Sequence, residues 1–204
     1  MKNSSVKAFL FDYDGVMTTG VKDSDVAKRL SINLGVPEES AAAWLRSVWQ
    51  ALLAGTLTIE ESWTEIERQY GQPITTEQRD VWFVWGDEIR PLTEMIQLVR
   101  TLKAKGYPVG LLSNVTAHSA DIIRRHGGYD EFDFLVLSCE VGNNKPEPKI
   151  YHLAIEALGG ILPEAIVFLD DRESNIVTAT SVGMKAIFVE THADAIQQVH
   201  ELTS

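Results

Sequence analysis

The run Ala8-Phe9-Leu10-Phe11-Asp12-Tyr13-Asp14-Gly15 limits what this chain can fold into more than any other stretch. An apolar segment ends abruptly in two carboxylates two positions apart, and a glycine follows. A strand directs residues i and i+2 to one face, so Asp12 and Asp14 can converge where the strand ends. Gly15 lets the backbone turn away at once. A strand that is apolar throughout is buried on both faces, and open α/β sheets bind ligands beyond the carboxyl ends of their strands. Carboxylates placed there are costly when bare, so a metal ion or a substrate is expected to hold them. Taken alone, the tetrad also fits an ordinary turn with an Asp cap. An EF-hand fits less well, because that loop needs an oxygen ligand at its fifth position and Gly at its sixth, where this chain has Val16 and Met17.

Three further signals follow in order. Val109-Gly110-Leu111-Leu112-Ser113-Asn114 is an apolar strand ending in a hydroxyl and an amide. Asn144-Lys145-Pro146-Glu147-Pro148 sets a lysine in a proline-stiffened turn. Ile166-Val167-Phe168-Leu169-Asp170-Asp171 is another apolar strand ending in adjacent carboxylates. Each has a bland reading: a helix cap, a solvated lysine, a turn. Together, each at a strand end or a rigid turn, they describe one site.

The four segments resemble the motifs of haloacid dehalogenase superfamily hydrolases. Asp12-Tyr13-Asp14-Gly15 is similar to the first motif, Ser113 to the second, Lys145 to the third, and Asp170-Asp171 to the fourth. The stretch from Ser138 to Tyr151, followed by Phe168-Leu169-Asp170-Asp171, resembles the branch with α-glucose-1-phosphate phosphatases and the N-terminal phosphatase domain of soluble epoxide hydrolase. The likeness spans nearly the whole chain and is weakest over 21–88.

Composition agrees with such an enzyme. The 204 residues, 45% hydrophobic and 23% charged, suffice for one substantial core and a small second unit. A net charge of −11 argues against nucleic acid, which needs clustered Lys and Arg. No stretch reaches membrane-spanning length, and the apolar start is too short for a signal peptide, so a cytoplasmic location is expected. The lone Cys139 excludes an internal disulfide and reads as a small core residue. The five histidines are scattered and do not suggest zinc; His118, the one near a motif, reads as a solvated helix residue.

The expected fold is α/β: a Rossmann-like, doubly wound, parallel five-stranded sheet with an inserted α-helical cap domain. Strands are expected near 8–11, 109–112, 132–137, 165–169 and 185–189, with helices near 92–105, 116–126, 148–158, 173–182 and at the C-terminus. The resemblance implies the strand order three-two-one-four-five. Asp12 and Ser113 should end neighbouring strands, yet about a hundred residues separate them, far more than one crossover needs. The excess reads as cap helices near 24–34, 37–54, 58–71 and 75–88, the third opened by the capping box Thr58-Ile59-Glu60-Glu61. This places the core domain at 1–17 and 89–204 and the cap at 18–88. All five tryptophans, Trp44, Trp49, Trp63, Trp82 and Trp85, fall in the cap, where they pack it or line a substrate pocket. The crossings at 16–20 and 86–91 are expected to hinge.

Phosphoryl transfer requires a nucleophile, a proton donor for the leaving oxygen and positive charge around the phosphate. Asp12 takes the first role through an aspartyl-phosphate, and Asp14 the second, then serving as base toward water. Two like charges about 4 Å apart repel by roughly 4 kcal/mol at an effective dielectric of 20. Lys145 and Mg²⁺ offset the four carboxylates enough for a phosphate dianion to approach. Mg²⁺ suits a set of carboxylates, one carbonyl and waters, and the resemblance implies that Asp12, the Asp14 carbonyl and Asp171 bind it, with Asp170 behind them. Ser113, Asn114 and Lys145 are expected on the phosphate. Arg46 is a candidate for the leaving group, with a surface arginine as the alternative. Asn175 orients a metal water or Lys145, or lies on a helix surface. The expected activity is hydrolysis of a small phosphorylated metabolite, with sugar phosphates among the candidates, by a monomer or weak homodimer. A 2-haloacid dehalogenase or a phosphomutase of the same fold is the alternative, as is a phospho-accepting receiver or non-catalytic binding module.

Overall fold

A computed structural model describes residues 6–20, 23–79 and 90–204. Five parallel strands form one sheet in the order β3-β2-β1-β4-β5, as the resemblance implied: β1 (Ala8–Phe11), β2 (Val109–Ser113), β3 (Phe134–Leu137), β4 (Ile166–Asp170) and β5 (Lys185–Phe188). β1 is central and pairs Phe11 with Leu111 on one side and with Leu169 on the other. Its burial on both faces explains why its sequence is uniformly apolar rather than alternating. Phe9 and Phe11 point into one hydrophobic cluster, with Leu111, Val167 and Leu169, while Ala8 and Leu10 point into a second with Leu112 and Phe168.

Helices cover both faces. Between β1 and β2 come α1 (Asp23–Leu34), α2 (Glu38–Leu53), α3 (Ile59–Tyr70), the turn α4 (Thr76–Arg79) and α5 (Thr93–Ala104). Then follow α6 (Ala117–Arg125), the four-residue α7 (Ser138–Val141), α8 (Pro148–Ala157), α9 (Glu173–Ser181) and α10 (His192–Leu202). Met95, Val99 and Leu102 of α5 and Val199 of α10 fill the first cluster; Ile150, Tyr151 and Ala154 of α8 fill the second. Strand β3 starts two residues later than the hydrophobicity suggests. Phe132 closes a turn onto Tyr129 instead, its N–H donating to the Tyr129 carbonyl at 3.1 Å.

The helical segment has its own apolar cluster, built from Val26, Leu30, Trp44, Leu45, Val48, Trp63 and Ile66. The Trp44 and Trp63 rings stack at 5.6 Å, so these two pack the segment. Trp82, Trp85, Gly86 and most of the expected fourth helix lie outside the described residues. The capping box forms as read: the Glu61 N–H donates to Thr58 Oγ1 at 3.1 Å, and the Thr58 N–H to Glu61 Oε2 at 2.8 Å. The segment meets the sheet domain beside α7. A Cβ on Gly55 (φ +66°) would lie 2.3 Å from the Cys139 carbonyl oxygen, so only glycine permits that approach. Asn144 adds two hydrogen bonds from Nδ2 to α2, reaching the Gln50 carbonyl at 3.0 Å and Gln50 Oε1 at 3.1 Å.

The outgoing crossing is less free than its composition suggests. Val16, Met17 and Thr18 are buried, the Met17 carbonyl accepts the Leu92 N–H at 2.7 Å, and Thr19 is the first exposed residue.

Candidate active site

The carboxyl ends of β1, β2 and β4 lie side by side, and the loop entering α8 closes over them. Asp12 extends β1, its N–H donating to the Leu169 carbonyl at 2.9 Å. Alternation along the strand puts Asp12 on the Leu10 face, the side where α8 packs. Lys145 arrives from that side. Its Nζ lies 2.8 Å from Asp12 Oδ1 and 2.6 Å from Asp170 Oδ2, with the side chain 1% exposed, and the ammonium sits 5.3 Å from the Phe168 ring centroid. A buried ammonium is tolerable here because two carboxylates face it. Burial alone would lower the lysine pKa, but Asp12 and Asp170 outweigh it and hold Lys145 firmly protonated.

Asp170 is saturated. Asn175 Nδ2 lies 2.9 and 3.0 Å from its two oxygens, and the Arg172 N–H donates to Oδ1 at 2.8 Å. Asn175 therefore neither lies on a helix surface nor contacts Lys145; it aims the carboxylate that holds Lys145. Adjacent Asp171 points elsewhere. Its Oδ1 is buried and has no hydrogen-bond partner among the described residues. A buried carboxylate oxygen left bare is costly, so it marks a place for a cation. Asp12, Asp170 and Asp171 each bring a carboxylate oxygen within 4.8 Å of the others, a hard-oxygen set that fits Mg²⁺. Gly15 makes room for it: at φ +79°, a Cβ there would fall 2.3 Å from Asp171 Oδ2.

On Asp12, Oδ1 also accepts the Tyr13 N–H at 2.7 Å, while no described residue engages Oδ2. Burial pushes this carboxyl up to about 7 against the pull of Lys145, and the Asp170 charge adds to the rise. Burial and then Asp170 likewise raise Asp171. An added divalent cation is the direct remedy for both. Asp14 is partly exposed and receives the Thr18 hydroxyl on Oδ1 at 3.2 Å.

Ser113 ends β2; the residue is 2% exposed, and its hydroxyl makes no hydrogen bond to another described residue. The side chain of its neighbour Asn114 turns to the lysine loop, where Nδ2 donates to the Lys145 carbonyl at 2.8 Å and Oδ1 accepts the Lys145 N–H at 2.7 Å. The side-chain amide thus clasps that loop. The turn after Asn114 is itself fixed by Ser138 Oγ, which accepts the Val115 N–H at 2.9 Å.

Not every expected residue joins the cluster. Arg46 is exposed on α2 and makes no hydrogen bond or ion pair with the site residues. His118 is half-buried rather than solvated; burial lowers its pKa while Glu60 of α3 opposes this. Cys139 is half-exposed at the start of α7, its thiol pushed by burial to about 11, which suits an inert packing residue. Sequence reasoning passed over Thr18, Asn144 and His192. Thr18 lies four residues beyond Asp14 and Asn144 directly before Lys145, whereas nothing local in the sequence points to His192.

A Rossmann-like parallel sheet with an acid–lysine cluster at the mouth of its central strands fits a hydrolase. Similarity carries this to a family. The profile of haloacid dehalogenase-like hydrolases matches residues 6–183, and the chain belongs to that family. Bifunctional epoxide hydrolase 2 of Rattus norvegicus is 34% identical over 119 residues, 53% of this chain; the match spans a fifth of that longer protein. The sesquiterpene phosphatase of Aspergillus oryzae is 25% identical over 202 residues, covering 98% of this chain and 97% of its own. Among solved structures, a haloacid dehalogenase family enzyme of Bacteroides thetaiotaomicron in complex with magnesium and inorganic phosphate superposes with a TM-score of 0.74 at 25% identity, over 90% of this chain and 93% of that one. No helix among the described residues is long and apolar enough to cross a membrane.

Proposed function

We propose that the chain is a Mg²⁺-dependent phosphomonoesterase that acts on a small phosphorylated metabolite through an aspartyl-phosphate on Asp12. The observation that carries this reading is the division of labour on Asp12: Oδ1 is tied to Lys145 and Tyr13, and Oδ2 is left unengaged by the described residues, while one carboxylate oxygen each of Asp12 and Asp171 lie within 4.8 Å of one another. A carboxylate with one oxygen fixed and the other open is oriented for in-line attack on phosphorus.

The roles follow from position. Asp12 Oδ2 attacks, Asp14 protonates the departing oxygen and then takes a proton from the water that cleaves the acyl phosphate, and Lys145 neutralises the phosphate. The Ser113 hydroxyl donates to a phosphate oxygen. With its side chain committed to the lysine loop, Asn114 is left its main-chain N–H for the same purpose. Asp12, Asp171 and the Asp14 carbonyl are the residues that would hold Mg²⁺, whose charge supports phosphoryl transfer. Residues 18–88 act as a cap that shields the site and selects the ester, and 1–17 with 89–204 form the catalytic core. Two features support phosphatase over dehalogenase chemistry: a carboxylate at position 14 able to shuttle protons, and an oxygen set suited to a hard cation.

The test is release of phosphate from p-nitrophenyl phosphate with Mg²⁺ and with excess EDTA. Mg²⁺-dependent release supports the reading. Absence of release with Mg²⁺ refutes it, and dehalogenation of a 2-haloacid in EDTA would put the chain in the alternative class.

A further inference from the structure

Thr18 is 2% exposed, at the point where the chain leaves the core. Its hydroxyl makes three contacts: Oγ1 lies 3.3 Å from the Gly15 N–H, 3.2 Å from the Gly20 N–H and 3.2 Å from Asp14 Oδ1. A hydroxyl has two acceptor lone pairs and one proton. The two N–H groups occupy both lone pairs, so the single proton can only go to Asp14. Asp14 Oδ1 is thereby an acceptor, and because a carbonyl oxygen accepts better than the hydroxyl oxygen of a carboxylic acid, this bond favours the neutral acid with its proton on Oδ2. Thr18 is itself held from a distant element. His192, the first residue of α10, places Nε2 3.2 Å from the Thr18 carbonyl; a carbonyl only accepts, so this nitrogen carries hydrogen and donates.

We infer that Thr18 is the positioning residue for the Asp14 carboxyl, selecting which oxygen delivers the proton, and that His192 anchors Thr18. The inference rests on the phosphatase reading and deepens it. In the step concerned, the P–O bond to the leaving group breaks as the Asp14 Oδ2–H bond breaks, and that proton passes to the leaving oxygen; Asp14, now anionic, later recovers a proton from water. Oδ2 must point at the leaving oxygen at the moment of cleavage. A carboxyl free to spin would present the wrong oxygen part of the time. Placing the clamp on the residue that opens the cap crossing also ties the aim of the acid to the path of the chain into the cap.

General-acid assistance matters in proportion to how poorly the leaving group carries negative charge. The experiment measures kcat/KM for a series of aryl phosphates graded from p-nitrophenol to unsubstituted phenol, extended to an alkyl phosphate, with saturating Mg²⁺. Thr18→Val removes the hydroxyl at nearly constant volume. The expected result is a steeper dependence on leaving-group pKa: p-nitrophenyl phosphate within about threefold of wild type, the alkyl ester down by about tenfold or more, a fraction of the roughly 10²–10⁴ that general-acid catalysis supplies. Thr18→Ser restores the wild-type slope, and His192→Ala steepens it in the same direction as Thr18→Val. Mg²⁺ affinity by calorimetry stays at the wild-type value, because no metal-binding group has moved. An equal loss across the series, or an unchanged slope in both Thr18→Val and His192→Ala, overturns the inference while leaving the phosphatase reading intact. Failure of wild type to hydrolyse any ester of the series overturns both.

Discussion

Gly15→Ala tests whether the turn after β1 exists to let Asp171 reach the metal position. The added Cβ would lie 2.3 Å from Asp171 Oδ2, 2.6 Å from Cγ and 3.2 Å from Cβ. Ordinary contact begins at 3.4 Å, so the carboxylate must retreat by about 1 Å. Folding suffers little from that, because the Asp171 carboxylate can turn aside. The main folding cost is an L residue at φ +79°, about 1–2 kcal/mol, or a fall in Tm of roughly 2–8 °C for a chain this size. Mg²⁺ binding suffers far more. Mg²⁺ demands oxygen ligands at about 2.0–2.1 Å in near-octahedral geometry, and a ligand displaced by about 1 Å cannot meet that; the expected loss of kcat/KM at fixed Mg²⁺ is on the order of 10². Calorimetric titration of Mg²⁺ and p-nitrophenyl phosphate hydrolysis across Mg²⁺ concentrations measure the two costs separately. In an Asp171→Ala background the same Gly15 substitution should cost no further Mg²⁺ affinity, since the two act on one ligand. A folded Gly15→Ala protein that binds Mg²⁺ within about threefold of wild type would refute the reasoning, as would full additivity in the double variant.

Three further outcomes are expected. Asp12→Asn keeps the side-chain size but loses the attacking charge, so turnover should drop at least a hundredfold, about 2.7 kcal/mol or more; activity above a hundredth of wild type removes Asp12 from the nucleophile role. EDTA should stop hydrolysis and Mg²⁺ restore it, with Asp171→Ala raising the Mg²⁺ requirement more than Asp170→Ala, because the oxygens of Asp170 are engaged by Lys145, Asn175 and the Arg172 N–H; the reverse order in a Mg²⁺ titration reassigns the ligand. In EDTA, burial holds the Asp12 carboxyl at about 7 in the fold, above its unfolded value of about 4, so the folded state binds this proton more tightly and the stability it contributes is lost as pH rises through that window. The Tm of Asp12→Asn should therefore gain on wild type across that same window, and Mg²⁺ should narrow the gap; a difference independent of pH counts against burial of the Asp12 charge as its cause.

The strand-end residues were legible in the sequence because strand geometry is local. An apolar run that stops at Asp12, at Ser113 or at Asp170 announces both the strand and its polar end, and the parallel sheet follows from the alternation with helices, while the strand order came from the family resemblance. Helix limits came within a residue or two where a capping box or a glycine stop marks them, as at Thr58 and Gly71. What escaped depends on long-range proximity. Asn114 reads as a phosphate donor, and nothing local says that its amide meets the Lys145 backbone 31 residues away. The Asn144 bonds to Gln50 span 94 residues, and the His192 contact with Thr18 spans 174. Arg46 lies exposed on α2, where the surface alternative also puts it, and nothing local in the sequence fixes what it meets.

The central place of β1 also dictates the order in which the molecule can be made. This four-residue strand is wholly apolar, and both its hydrogen-bonding edges are filled by segments that follow far behind, β2 at 109–113 and β4 at 166–170. During synthesis at about 5–20 residues per second, β1 waits for about 8–30 s before β4 exists to cover its second edge. An apolar strand with an open edge recruits other chains. A nascent chain that stops short of β4 therefore carries an unpaired edge and no Asp170 for Lys145, so it should be both inactive and sticky, and truncation before β4 should yield a chaperone substrate rather than a smaller enzyme.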